Sequence, residues 1–215
     1  MKNAVIVGND TAMNHGIVAD LKEGGYSVYP AWVDHSHCGE YCADPLSADS
    51  MFQVAAHIHA PLDLLVININ ATFDDPKASI LDAIDFEAIK KAYDYNTLGV
   101  IRVINAFLPL LEEGKGKRIA VITNRESSNN AANGYTAYGD HVAHAPLNMA
   151  MNQLFNGFRP EGYTFRMYVR SSQDGYDPFA AEYILRNRSN EPESYKHSDE
   201  NRLVLRDSMN LEIPW

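Results

Sequence analysis

The sequence predicts one doubly wound α/β domain, a parallel sheet covered by helices on both faces, and three observations lead there. Apolar runs at Ala4 to Val7, Leu62 to Asn68 and Arg118 to Thr123 lack the alternation of a half-exposed strand, so both faces of each are expected to be buried. Between the runs, apolar residues recur at three and four residues, the spacing of an amphipathic helix. At 215 residues, 46% of them hydrophobic, the chain fits a single domain over residues 1–215 with a sizeable core. Strands that alternate with helices build a parallel sheet, because each crossover must carry the chain back to the starting end.

Ala4 to Val7 forms the first strand and stops at Gly8 and a polar loop. Ile17, Val18 and Leu21 give a helix that closes at Gly24-Gly25. Tyr26 to Val33 reads as the second strand, Ser47 to Ile58 as a helix and Leu62 to Asn68 as the next strand. Asp85 to Leu111 carries a long helical repeat through Phe86, Ile89, Tyr93, Val100, Val103, Ile104 and Phe107, and Gly114-Lys115-Gly116 ends it. Arg118 to Thr123 is a further strand, followed by a polar loop through Gly134. The next helix is expected from Tyr135 to Phe158 with Pro146 inside it, where a missing N–H and ring crowding predict a kink just after His144. Arg159-Pro160-Glu161-Gly162 is a turn signal, Thr164 to Val169 a strand and Pro178 to Arg188 an amphipathic helix. Ser189 to Asn201 reads as a loop and Arg202 to Arg206 as a last edge strand. Ligands of such a sheet are expected outside the carboxyl ends of its strands.

The formal charge of -10 argues against nucleic acid as a partner, since phosphate-backbone binding needs a basic face that releases counterions. No apolar run approaches membrane-spanning length and the first is too short for a signal-peptide core, so a soluble, cytoplasmic protein is expected. The two cysteines lie in His35-Ser36-His37-Cys38-Gly39-Glu40-Tyr41-Cys42. Thiolates and imidazoles can ligate zinc, but the cluster lacks the paired spacing of zinc motifs, and a polar loop entering a short buried strand is the plainer reading. No metal site is expected.

A series of anchors then appears in order. Gly8 stands at the first glycine of a Gly-x-x-x-Gly-x-Gly turn, with Leu21 and Gly25 at the helix that follows. Cys42-Ala43-Asp44 resembles a third strand ending in an aspartate. Leu62-Asp63-Leu64-Leu65-Val66-Ile67-Asn68-Ile69-Asn70 matches an Asp-x-Leu-Val-Asn-Asn-Ala-Gly strand, and Tyr95-Asn96-Thr97-Leu98-Gly99 a Val-Asn-x-x-Gly helix. In these anchors the chain resembles the short-chain dehydrogenase/reductase superfamily. Ala145-Pro146-Leu147-Asn148-Met149, Arg159-Pro160-Glu161-Gly162 and Glu212-Ile213-Pro214-Trp215 resemble its small C-factor-like branch. The resemblance implies a Rossmann-like three-layer α/β/α fold, an NAD(P) cofactor, oxidoreductase chemistry and a homodimer or homotetramer. It places cofactor contacts at Gly8, Asn14, Asp44, Asn68 and Asn70.

The chemical positions depart from that pattern. The second and third glycines of the turn are Ala12 and Asn14, and Asp10 puts a carboxylate where a pyrophosphate would lie unless it caps the helix. After the second strand stand Trp32, Val33 and Asp34, with nothing basic for a 2′-phosphate, so NAD is favoured slightly over NADP and the altered turn leaves open that neither binds. Ile69 and Asn70 replace an Ala-Gly pair and crowd a nicotinamide ribose, while Arg170-Ser171 replaces a Pro-Gly pair. The implied catalytic asparagine, serine, tyrosine and lysine read Asn96, Asn124, Asp140 and His144, with Thr123 one residue from the serine position. Tyr138 and Tyr135 are followed four residues later by Val142 and Gly139, so neither restores a tyrosine and lysine pair.

Asp140 and His144 lie one helical turn apart and face one way. Such a pair suits an orienting carboxylate and a base that titrates near neutrality, with Asn96 and Asn124 as amide donors and Arg125 or Arg170 as a clamp for a small anionic ligand. A surface or capping pair is the plainer alternative. Three functions are therefore open at this level: an atypical oxidoreductase-like protein with a dinucleotide-type cleft, a non-redox acid/base enzyme for proton transfer, hydration or elimination, and an inactive binding protein or pseudo-subunit.

Overall fold

The computed structural model describes residues 2–33, 41–73, 77, 79–81, 83–132, 134–170, 175–195 and 197–215. Its sheet has seven strands in the order β2-β1-β3-β4-β5-β6-β7. These are β1 (Lys2–Gly8), β2 (Tyr26–Trp32), β3 (Leu64–Asn68), β4 (Arg118–Thr123), β5 (Thr164–Val169), β6 (Leu205–Arg206) and β7 (Glu212–Ile213). All neighbours are parallel except β6 and β7. The order turns back beside β1, which makes the carboxyl ends of β1 and β3 the switch point where ligands of such sheets bind.

The helices follow from their caps and apolar faces. α1 (Ala12–Glu23) starts where the Thr11 hydroxyl accepts from the Asn14 amide, and α2 (Ala48–His57) where Ser47 accepts from Ser50. Asp85 caps α3 (Phe86–Tyr93) through the Glu87 and Ala88 amides, and Asp177 caps α6 (Pro178–Leu185), with proline just inside the start. α4 (Gly99–Glu113) and α5 (Tyr138–Phe158) complete the set. One core packs Met51, Val103, Phe107, Met151 and Phe155 against one sheet face, and another packs Ile17, Leu21, Tyr183 and Ile184 against the other. That is the three-layer α/β/α sandwich the sequence predicts.

Several details differ from the sequence reading. The long helix expected from Asp85 to Leu111 is divided by a π-helical segment at Asp94–Leu98, whose wide turn carries Asn96. The helix expected from Tyr135 begins at Tyr138 instead, because Ala137 adopts a left-handed conformation with φ 52°. Its far end is the one the sequence predicts, since it runs through Pro146 to Phe158. The strand expected at Cys42-Ala43-Asp44 is reduced to one bridge between Trp32 and Cys42. Pro178 to Arg188 stops as a helix at Leu185, the penultimate strand keeps only Leu205–Arg206, and the edge belongs to Glu212–Ile213. Asp34, Cys38 and Ser171 lie outside the described residues.

Candidate functional site

The site is assembled from the carboxyl ends of β1, β3 and β4 and from the inward face of α5. Its first part is an amide cluster in the turn after β1. Asn14 is completely buried and its Nδ2 donates to the Asn9 carbonyl at 2.8 Å, while its Oδ1 accepts from Asn68 Nδ2 at 2.7 Å. A Cβ on Gly8 would lie 2.4 Å from Asn14 Nδ2, so Gly8 is required here by the Asn14 side chain. Thr11 caps α1, and Asp10, expected as a cap, instead holds His15 Nε2 at 2.5 Å. The His15 ring leans on Trp32 with centroids 5.0 Å apart.

The second part lies where β3 ends. The Asn70 backbone N–H donates to Asn9 Oδ1 at 3.0 Å, joining this segment to the turn. Next to it, Asn96 grips the backbone of Ala71 at both ends, accepting from its N–H at 2.9 Å and donating to its carbonyl at 2.8 Å. The π turn is what brings Asn96 to face that backbone. Asn96 thus supports the crevice wall through its amide.

α5 supplies the third part, because Asp140, His144 and Asn148 recur every four residues and all are buried. Asp140 turns its Oδ2 to the Thr72 hydroxyl at 2.9 Å, not along the helix to the imidazole. His144 is 3% exposed, and its Nδ1–H donates to the Asp140 backbone carbonyl at 2.8 Å. Its Nε2 lies 2.8 Å from Asn70 Oδ1. Burial is the main force holding the His144 imidazole below its ordinary pKa; the Asp140 carbonyl opposes it, and the nearby Arg170 charge adds to it. A neutral ring that donates at Nδ1 must accept at Nε2, and two acceptors do not bond. We therefore read the Asn70 amide as turned by half a rotation, with its NH2 facing the ring.

Asn124 and Thr123 stand behind this face at the end of β4, both buried, with Asn124 Oδ1 and Thr123 Oγ1 lacking a protein hydrogen-bond partner. Asn148 Nδ2 fixes the loop beyond them by donating to the Ser127 carbonyl at 2.7 Å. Asp44 sits apart at the bridge beyond β2, where its Oδ1 accepts from the Leu46 amide at 3.0 Å in a local turn. Tyr138 and His141 line a cavity of about 360 Å³ with Glu126, Ser128 and Tyr135, a lining that includes neither Asp140 nor His144. Arg125 is exposed, whereas Arg170 is close enough to affect His144. Among the described residues no group of acidic, histidine or cysteine side chains could hold a metal ion.

Of the residues singled out in the sequence, the structure gathers Asn14 with Asn68, and Asn70 with His144 and Asp140. Asn9 and Thr72 were missed. Asn9 ties the turn to Asn70, and Thr72 takes the Asp140 carboxylate from 68 residues away in the chain. Neither belongs to a motif, so only the spatial contact reveals them.

At the nicotinamide end of a dinucleotide, the positions implied for a bare glycine and a free lysine amine carry Asn70 and His144, which are bound to each other, and Nδ1 of the ring is used as well. The residues in this arrangement do not fit a nicotinamide ribose.

No family model matches the chain. It is 32% identical to the C-signal of Myxococcus xanthus over 103 residues, which are 48% of this chain but only 60% of that protein, less than two thirds of its length. It is 28% identical to the 1-hydroxy-2-glutathionyl-2-methyl-3-butene dehydrogenase of Rhodococcus sp. (strain AD45), over 69% of this chain and 68% of that one. A crystal structure described as a short-chain dehydrogenase/reductase from Burkholderia multivorans with bound NADP superposes with a TM-score of 0.72 over 100% of this chain and 99% of its own, at 14% identity. In its strand order and switch-point crevice the chain has the fold of the short-chain dehydrogenases/reductases, and its likeness to the C-signal and to the Rhodococcus dehydrogenase agrees with the resemblance to that superfamily and its small C-factor-like branch.

Proposed function

We propose that this chain is a non-redox member of its superfamily, with a dinucleotide-type crevice but no proton relay for carbonyl or alcohol chemistry. The relay the resemblance implies is a phenol whose pKa is lowered by a neighbouring ammonium, so that it trades a proton with substrate while a hydride moves. The observation that carries the proposal is the state of the two replacing groups. Asp140 directs a carboxylate oxygen to Thr72, and His144 is desolvated and neutral, with both ring nitrogens engaged by protein atoms. Neither supplies an acid of phenol type beside a fixed positive charge. The dehydrogenase named among the relatives and the NADP in the Burkholderia structure support the shape of the crevice, not its chemistry here.

A second reading is favoured by one specific feature, the neutrality of His144. A neutral imidazole is a competent base, and with Arg170 nearby it suits proton abstraction from a small anionic substrate once Asn70 is displaced. The test is turnover of NADH and NADPH with a panel of aldehydes and ketones. The proposal expects consumption no faster than in protein-free buffer, and saturable consumption that is lost in Asp140→Asn contradicts it. If a non-redox substrate is found whose conversion disappears in His144→Gln with folding intact, the second reading replaces the first.

A further inference from the structure

We infer that Asn70 and His144 form a latch that shuts the nicotinamide end of the crevice against a dinucleotide, so coenzyme exclusion is built into this chain separately from the loss of the relay. The latch joins three walls. Asn70 is held to the turn after β1 by its backbone N–H on Asn9 Oδ1 at 3.0 Å, and its side chain meets His144 Nε2 at 2.8 Å. His144 in turn is fixed to its own helix by Nδ1 on the Asp140 carbonyl at 2.8 Å.

Three physical consequences follow from that geometry. A ribose diol needs donors and acceptors, and those of Asn70 and His144 that face the crevice are spent on each other. An asparagine side chain also occupies volume that a glycine would leave empty at 70. Withdrawing Asn70 strands the buried His144 imidazole, which is costlier than the bond itself is worth. The turn beneath adds stiffness, since the buried Asn14 links Asn9 to Asn68 and packs against Gly8 with no room for movement toward it. Coenzyme entry must therefore open a connected set of contacts, which reduces apparent affinity by the fraction of time the set is open.

The test replaces the latch by the groups the superfamily resemblance implies. NADH and NADPH are titrated into the wild-type protein, Asn70→Gly and the double variant Asn70→Gly/His144→Lys, following coenzyme fluorescence, with folding checked by circular dichroism. Adenosine diphosphate, which does not reach the latch, is titrated by calorimetry as the control. The latch predicts at least tenfold tighter coenzyme binding by the double variant than by wild type, a smaller gain for Asn70→Gly, and unchanged binding of adenosine diphosphate. Should the double variant fail to fold, Asn70→Gly and His144→Gln each open the latch, and a tenfold gain in either supports it. Wild-type binding as tight as that of the folded variants overturns the inference, as does an equal gain for adenosine diphosphate. Because binding is read and not turnover, tight wild-type binding would remove the latch and leave the non-redox proposal standing.

Discussion

His144 shows how burial decides a residue's chemistry. Its ring is desolvated and bonded on both nitrogens, and its folded pKa lies below the ordinary imidazole value. A depressed histidine pKa means that the folded state binds fewer protons than the unfolded chain, so its contribution to stability is present above the unfolded value of about 6.5 and is lost as pH falls toward the folded value. Denaturant titrations at pH 7.5 and 5.5, on the order of one unit either side of that value, should therefore show a loss of stability at the lower pH that is smaller in His144→Gln. An equal loss in both proteins would assign the effect elsewhere. At this scale the sequence was partly legible. That Asp140 and His144 share a face follows from helical spacing, yet their actual partners, Thr72 and Asn70, lie 68 and 74 residues away and leave no local signature.

Among elements, α5 and its entry matter most to the site, because this one helix carries Asp140, His144 and Asn148. Its start at Tyr138 depends on Ala137 in the left-handed region, φ 52°, where a Cβ crowds the following carbonyl. Glycine removes that crowding at some cost in unfolded-state entropy, so Ala137→Gly should stabilise by about 0.5–1 kcal/mol in a denaturant titration. Destabilisation would show that the Ala137 methyl packs favourably. The strands were the most legible elements: β4 and β5 match the sequence boundaries, because buried parallel strands read as uninterrupted apolar runs. The π segment at Asp94–Leu98 was not legible, since its apolar residues continue a helical repeat on both sides and only the hydrogen bonds distinguish the wider turn. β6 falls inside the strand expected from Arg202 to Arg206, whereas the two residues of β7 carry too short a pattern to be told from loop.

At the scale of the molecule, the carboxyl-terminal segment beyond α6 is fastened to the sheet by buried arginines. Arg166, fully buried on β5, donates to the Arg186 carbonyl at 2.7 Å and the Asp199 carbonyl at 3.0 Å and meets Glu200 at 2.5 Å. Arg206 holds both oxygens of buried Asp199. Removing one member leaves buried charge uncompensated, so Arg166→Leu should cost about 3–5 kcal/mol, measured by chemical denaturation. A loss below about 1 kcal/mol, the scale of an exposed pair, would mean that the network is solvated in practice. Ser189 to Asn201 reads as loop in the sequence and Arg202 to Arg206 as an edge strand, and only the fold shows that Glu200 and buried Asp199 of that loop hold the arginines and that β7 pairs with β6.

The fold is that of the short-chain dehydrogenases/reductases, while Asn96, Asp140 and His144 are engaged by Ala71, Thr72 and Asn70. Transfer of isotopic label tests that most directly. NADPH and NADH carrying deuterium at the transferable position are incubated with the protein and a mixture of aldehydes and ketones, and the alcohols are analysed by mass spectrometry. The account predicts no deuterium in any alcohol above the protein-free control. Protein-dependent label in an alcohol, abolished by Asp140→Asn, would contradict it.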